Sequence, residues 1–206
     1  MRFISIPLVA KILYSKAKKS FPEAKGKLFF TFDDGPNPSV TPLVLDLLKQ
    51  HDAKATFFCL GKNVEQFPTL FERIKLEGHS IGNHTFNHVN GFKTRTSEYL
   101  TEVDKAHKII QASLFRPPYG KMRLNQYYIL AKDYKILLWD VMSYDFDQSL
   151  SSEDCEALVK KHAKEGSIVV FHDTAKAKKR LLSALQNLLK YYSNMGYSFE
   201  SISCLD

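Results

Sequence analysis

Lys27-Leu28-Phe29-Phe30-Thr31-Phe32 (KLFFTF) is an almost wholly apolar run that stops at Asp33-Asp34-Gly35-Pro36. It lacks the alternation of a half-exposed strand. A run of this kind is a strand buried on both faces, as parallel strands are when helices cover them. Downstream, Thr41-Pro42 opens a helix, with Thr as the N-cap and Pro at the first helical position. Leu43, Val44, Leu47 and Leu48 keep helical spacing behind it. Further strands are expected at Lys54–Leu60, Gly78–Asn83, Ser113–Arg116, Lys135–Met142, Ser167–Phe171 and Tyr197–Ser203. Helices are expected at Val64–Leu76, Glu98–Ala112, Leu124–Ala131, Glu153–Lys164 and Ala177–Tyr192. Strand-then-helix units in series leave two architectures, a doubly wound sheet or a (β/α) barrel. In both, chemistry sits just past the C-terminal ends of the strands.

Composition narrows the class. The chain has 206 residues, 44% hydrophobic and 25% charged, which excludes a disordered or collagen-like chain. No apolar run reaches the ~18 residues of a membrane span. Lys and Arg outnumber Asp and Glu by 29 to 22, a net charge of +7 that favours anionic neighbours. No nucleic-acid recognition motif accompanies that charge, so nucleic acid is not an expected partner. Cys59, Cys155 and Cys204 are far apart and form no Cys-x-x-Cys, which argues against a disulfide framework and a thiolate zinc site. No linker or repeat divides the chain. The expected organisation is an N-terminal segment, 1–26, docked on a single domain, 27–206. Within that segment Phe3, Ile4, Leu8, Val9, Ile12 and Leu13 could share one face of a short helix, ringed by Lys11, Lys16, Lys18 and Lys19. Such a helix packs on the body or makes peripheral contact with a membrane. Ser5 and Pro7 interrupt the apolar stretch, and no A-x-A cleavage site follows. The expected location is therefore the cytoplasm or the inner leaflet, with secretion left open.

Polar residues then fall where the architecture expects chemistry. The first strand ends in Asp33-Asp34-Gly35-Pro36, and the third in His84-Thr85-Phe86-Asn87-His88. The fourth ends in Arg116-Pro117-Pro118-Tyr119-Gly120, the fifth near Asp140 and Asp145, the sixth in His172-Asp173. Each alone has an ordinary explanation: a turn, two histidines on a helix face, an ion-pairing Arg, a core His. Parallel strand ends converge on one rim, however, and that collection on one rim is hard to explain as structure. One carboxylate and two imidazoles four residues apart make a three-ligand site for a divalent metal, with positions left for water and substrate. Strand side chains alternate in direction, so the adjacent carboxylate cannot also face the metal unless the turn brings it round to take a proton from water. An Arg can hold that base ionised, and a further His can protonate a leaving group. Metal, base and acid together specify hydrolysis of an acyl or phosphoryl bond.

These residues also carry a resemblance. Thr31–Pro36 (TFDDGP), His84–His88 (H-[ST]-x-x-H), Arg116–Gly120 (R-x-P-[YF]-G) and Val169–His172 appear in the order seen in NodB-type polysaccharide deacetylases, family 4 of the carbohydrate esterases. KATFF and GHSIGNHT resemble that family too. The resemblance implies a distorted (β/α) barrel with seven or eight parallel strands. It implies metal-dependent removal of acetyl groups from an N-acetylated hexosamine glycan of peptidoglycan or chitin type. It implies one divalent ion, zinc being the expected metal, held by Asp34, His84 and His88. By the same resemblance Asp33 is the base, Arg116 orients it, the Tyr119 N–H helps hold the oxyanion, and His172 is the acid. Val170 shares a strand face with His172 and would line the acetyl-methyl pocket. Trp139, the one Trp, either stacks on a sugar ring or packs internally.

One motif departs. The family's fourth motif often reads Asp-x-x-Asp-Trp, and Met142-Ser143-Tyr144-Asp145-Phe146 stands there instead. The first Asp, which in the family commonly pairs with the acid His, is Met142; Asp140 or Asp145 is left to orient His172. The basic cluster Lys176, Lys178, Lys179 and Arg180 reads as a solvated helix face, or as a seat for an anionic group at the groove edge. Deacylation of another sugar amide or ester, and a carbohydrate-binding protein with little catalysis, are the competing functions.

Overall fold

The computed structural model describes residues 4–5 and 13–202. The apolar helix face expected between Phe3 and Leu13 lies almost wholly outside the described residues. The strands are β1 (Lys27–Asp33), β2 (Thr56–Cys59), β3 (Ser80–Asn83), β4 (Leu114–Phe115), β5 (Lys135–Ile136), β6 (Val141–Met142), β7 (Ile168–His172) and β8 (Ser198–Phe199). The helices are α1 (Thr41–Gln50), α2 (Gly61–Gln66), α3 (Pro68–Leu76), α4 (Thr96–Ile110), α5 (Leu124–Leu130), α6 (Ser152–His162) and α7 (Lys178–Asn194). All the strand pairings are parallel. The order across the sheet is β5-β4-β3-β2-β1-β7-β6, with β8 also on β1.

The period-2 alternation of β1 separates two apolar layers. Leu28, Phe30 and Phe32 face outward into the cluster that holds Leu45 and Leu48 of α1 and Leu185 and Leu188 of α7. Phe29 faces inward with Phe58, Leu114, Ile168 and Val170. Both faces of the strand are therefore buried, as its unalternating sequence requires.

The expected strand Lys135–Met142 is not one strand. Its first end, β5, pairs with β4, and its last end, β6, pairs with β7 at the opposite edge of the sheet. Only residues 137–140 separate the two ends, and five residue steps span at most about 18 Å. The sheet must therefore curl until its edges meet. The result is a distorted (β/α) barrel closed by a single seam.

The chain's N-terminal part stitches that seam. Lys18 N–H donates to the Ile136 carbonyl at 2.9 Å, and Leu138 N–H donates to the Lys18 carbonyl at 2.8 Å. Ser20 bridges to Ser167 on the other side. Phe21 N–H donates to the Gly166 carbonyl at 2.7 Å. Gly166 has φ +76, and a Cβ there would lie 1.9 Å from the Phe21 carbonyl oxygen. No other residue fits at that stitch. Tyr14, Ala17 and Phe21 are buried in the inner cluster.

Two smaller expectations also change. Val64–Leu76 breaks into α2 and α3 at Phe67-Pro68, because a proline has no N–H for the helix ladder and begins a new first turn. Thr41 is the first residue of α1 rather than its cap, which is Val40. Its hydroxyl is engaged elsewhere, by a carboxylate at the rim.

Candidate active site

The C-terminal strand ends meet on one rim, and the rim begins with Asp33. This residue closes β1 and is 4% exposed. The Arg116 guanidinium donates through Nη1 to Asp33 Oδ1 and to Thr31 Oγ1, each at 2.7 Å. Its Nε and Nη2 reach the carbonyls of Leu137 and Leu138 at 3.3 and 3.1 Å. The group lies 4.1 Å over the Phe58 ring and is wholly buried. A buried cation needs this many acceptors, since each bare N–H would carry a desolvation cost. Burial lowers the Arg116 pKa and the Asp33 charge opposes that.

Strand alternation ends at Asp34. Its φ of 78 swings the side chain round, so that both carboxylates border the same space. Asp34 Oδ1 lies 3.1 Å from His88 Nε2 and 3.6 Å from His84 Nε2, and Asp33 Oδ2 lies 4.0 Å from His84 Nε2. His84 Nδ1 is 2.7 Å from the Arg116 carbonyl. A carbonyl only accepts, so Nδ1 carries the hydrogen and Nε2 offers its lone pair. Complete burial lowers His84 to about 4, against the Asp33 charge, which keeps the ring neutral near pH 7. Burial works against charge on Asp34, but His88, His172 and His84 outweigh it and hold the carboxyl well below the usual carboxylate range.

The His84–His88 pair lies on a turn rather than a helix face. Thr85 and His88 both have positive φ, 68 and 60. Asn83 Oδ1 accepts the Thr85 N–H at 2.8 Å, and Glu102 of α4 receives both the N–H and the side-chain amide of Asn87. Such backbone is costly for non-glycine residues and persists only where its surroundings enforce it. The donor atoms of Asp34, His84 and His88 lie within 4.8 Å of one another. Asp34 Oδ1 is buried and accepts no hydrogen bond. A carboxylate oxygen facing a neutral imidazole lone pair, with no donor of its own, fits a divalent cation.

Beside Asp33, at the end of the neighbouring strand β7, lies His172. Both oxygens of Asp145 hold it: Oδ1 is 2.8 Å from Nδ1, and Oδ2 accepts the His172 N–H at 2.7 Å. Burial lowers the His172 pKa, but the charge and hydrogen bond of Asp145, with Asp34 and Asp33 behind it, raise it to about 9. Asp145 is therefore the orienting carboxylate. Asp140 is not: its oxygens accept from Ser167 Oγ and Ile168 N–H, each at 2.8 Å, at the start of β7 where His172 ends it. Met142 has joined the inner apolar cluster with Val170 and Trp139. Trp139 is 8% exposed there, its ring 6.0 Å from Arg116 Cζ, which gives it a packing position rather than an open sugar platform. Tyr119, with φ 61, sits in a short 3-10 turn with its ring edge-on to His88 at 4.6 Å.

Asp173 is a rim residue without an assigned role in the sequence motifs. It is fully buried, accepts from the Thr41 hydroxyl, and its N–H donates to the Asp33 carbonyl at 3.2 Å. Burial raises its pKa to about 7, with Asp34 and Asp33 adding to the rise. A Cβ on Gly35 would lie 2.1 Å from Asp173 Oδ2, so Gly35 is what lets the carboxyl brace the turn after β1. The only sequence signal was its place directly after the strand-end His.

Residues 22–135 match the family profile described as polysaccharide deacetylase. The chain belongs to the polysaccharide deacetylase family. A peptidoglycan-N-acetylglucosamine deacetylase of Bacillus cereus is 35% identical over 184 residues, 84% of this chain and 84% of that relative. A second from the same organism is 38% identical over 162 residues, 75% of this chain but 58% of its own length. Among solved structures, the Bc1960 peptidoglycan N-acetylglucosamine deacetylase, bound to a naphthalenyl N-hydroxybenzamide, superposes with a TM-score of 0.88 at 33% identity, covering 96% of this chain and 95% of that one. The deacetylase fold expected from the strand-end motifs is thus the fold the chain has.

Proposed function

We propose that this deacetylase-family chain is a metal-dependent hydrolase that removes acetyl groups from N-acetylated hexosamine units of a peptidoglycan-like glycan. The observation that carries this is the convergence on one rim of the Asp34–His84–His88 donor set, the Asp33–Arg116 pair and the Asp145–His172 pair. The names of the relatives support the sugar and the bond.

Asp34, His84 and His88 would hold a divalent ion, zinc by the chemistry of the donors, which would supply Lewis-acid polarisation of a carbonyl and acidify water. Asp33 accepts the proton of the attacking water, and Arg116 keeps that carboxylate ionised and pointed. The Tyr119 N–H stabilises the negative charge that develops on the carbonyl oxygen. His172, protonated up to about pH 9 by its pairing with Asp145, gives a proton to the departing amine. Val170 is wholly buried in the inner apolar cluster with Met142 and Trp139, so it backs the acetyl-methyl side rather than opening onto it.

The test is acetate release from N-acetylated chito-oligosaccharides and peptidoglycan fragments, before and after a chelator and after adding back zinc. Release that the chelator abolishes and zinc restores is the expected result. Glycan binding with no release would make the chain a carbohydrate-binding protein. Release from O-acetyl sugars alone would make it an esterase.

A further inference from the structure

The first turn of α7 contains Lys178, Lys179 and Arg180 and no acidic residue. A helix N-terminus carries partial positive charge, so cations there are unfavourable. A local preference broken in this way calls for a compensating contact. Arg180 has one. Its Nε donates to the Asp145 carbonyl at 2.7 Å, and its Nη2 donates to the Lys176 carbonyl at 2.7 Å. One guanidinium thus ties the turn that presents Asp145 to the loop that follows His172.

That turn needs a tie. Asp145 is fully buried, and both of its carboxylate oxygens are engaged by His172. Its own N–H has only a long, 3.4 Å contact to Ser143 Oγ, and Tyr144 before it has φ 58. The carboxylate can face His172 only while the main chain of residue 145 stays where it is. We infer that Arg180 is a positioning residue for the reaction, fixing the Asp145 main chain so that its carboxylate holds His172. Its role is structural to the acid rather than a seat for an anion.

Groups of several elements face His172. Asp145 approaches from the turn after β6, Asp33 and Asp34 lie at the end of β1, and the Phe146 ring meets it edge-on at 4.8 Å. Arg180 grips the carbonyl of Asp145. This arrangement gives the test a sign. Removing a nearby cation and moving nothing else would raise the His172 pKa. Letting Asp145 drift away would lower it, because burial then dominates.

The experiment uses the full chain with its metal, and the variants Arg180→Met, Arg180→Lys and Asp145→Asn. The His172 ring nitrogens are titrated by NMR, with thermal melting to show that each variant is folded. Arg180→Met is expected to lower the midpoint by about one unit, in the direction of Asp145→Asn. Arg180→Lys, which keeps a donor, is expected to restore most of the shift. If Arg180→Met does not fold, Arg180→Lys carries the test with a smaller downward shift. An unchanged or raised midpoint overturns the inference. A kinetic arm rests on the proposed deacetylase reading: Arg180→Met is expected to lower kcat/KM roughly tenfold on an acetamide but little on an activated ester. Equal losses on both overturn the positioning role. Failure of the wild-type chain to release acetate would sink the deacetylase reading and leave the NMR result standing.

Discussion

Two carboxylate-centred pairs sit side by side on the rim, with Asp33 beside His172 in the β1–β7 register, and they are built to different standards. Asp33 closes the seven-residue strand β1, and its partner Arg116 also reaches Thr31, Leu137 and Leu138 from a wholly buried position. Asp145 sits on a turn, and its partner His172 keeps some exposure at the groove. The difference suits the two tasks proposed for them. A base that must stay ionised is best served by a permanent charge locked among fixed acceptors. An acid that must give up a proton each cycle needs a partner that holds the proton without trapping it, and imidazole beside a carboxylate does so.

The largest expected effect breaks the base side. Asp33→Asn keeps the shape and cannot accept a proton, so turnover falls by roughly 10²–10⁴. The loss is equal on acetamide and ester substrates, and the metal content measured by elemental analysis is unchanged. A loss of bound metal would instead assign Asp33 to the ligand set. His172→Ala tests the acid side and should separate the substrates. An amine must be protonated to leave, so amide turnover falls by roughly 10²-fold or more, whereas a nitrophenyl ester loses much less. Equal losses would remove His172 from the role.

Asp145→Asn sharpens the comparison through pH. The acid works while protonated, so wild-type kcat/KM falls as pH rises through about 9. Without the carboxylate, burial prevails and that limb moves to lower pH, while the acidic limb stays. The same pair stabilises the fold: its contribution is complete below the ordinary His pKa of ~6.5 and is lost as pH rises through about 9. A melting-temperature profile in which wild type and Asp145→Asn converge only above that pH is the expected check. The smallest effect belongs to Asp140. Asp140→Ala leaves the Ile168 N–H and the Ser167 hydroxyl without their acceptor and costs about 1–3 kcal/mol of stability, with turnover unchanged. A shift in the pH profile of this variant would return Asp140 to the acid side.

The motifs were legible because each lies at a strand end, and strand ends can be read from apolar runs. Asp34 was assigned to the ligand set by resemblance. What turns it toward the histidines is the positive φ after β1, and sequence pattern does not show that. Pro68 was a readable helix breaker inside the expected Val64–Leu76 helix. The choice between Asp140 and Asp145 was not legible. Alternation puts Asp140 on the strand face of Met142, but it pairs at the start of β7, away from His172. Met142 removes one expected partner, and only the turn after β6 shows that Asp145 replaces it with both oxygens. Arg180 was hidden for a different reason. Its partner is a main-chain carbonyl, and side-chain patterns do not report carbonyls, so it read as one more surface cation.

The seam gives these two sides a mechanical meaning. A ring of staves is as stiff as its weakest joint, and here the joint is Lys135–Met142, where β5 and β6 contribute two residues each and a borrowed stretch near Lys18 fills the gap. Asp33 hangs from the stoutest stave, seven residues long and paired on both sides. Asp145 hangs three residues past the joint. In a vise built this way one jaw is bolted to the bench and the other rides on the screw. The mounting of Asp145 is the one expected to yield under load, and the mounting of Asp33 the one expected to hold.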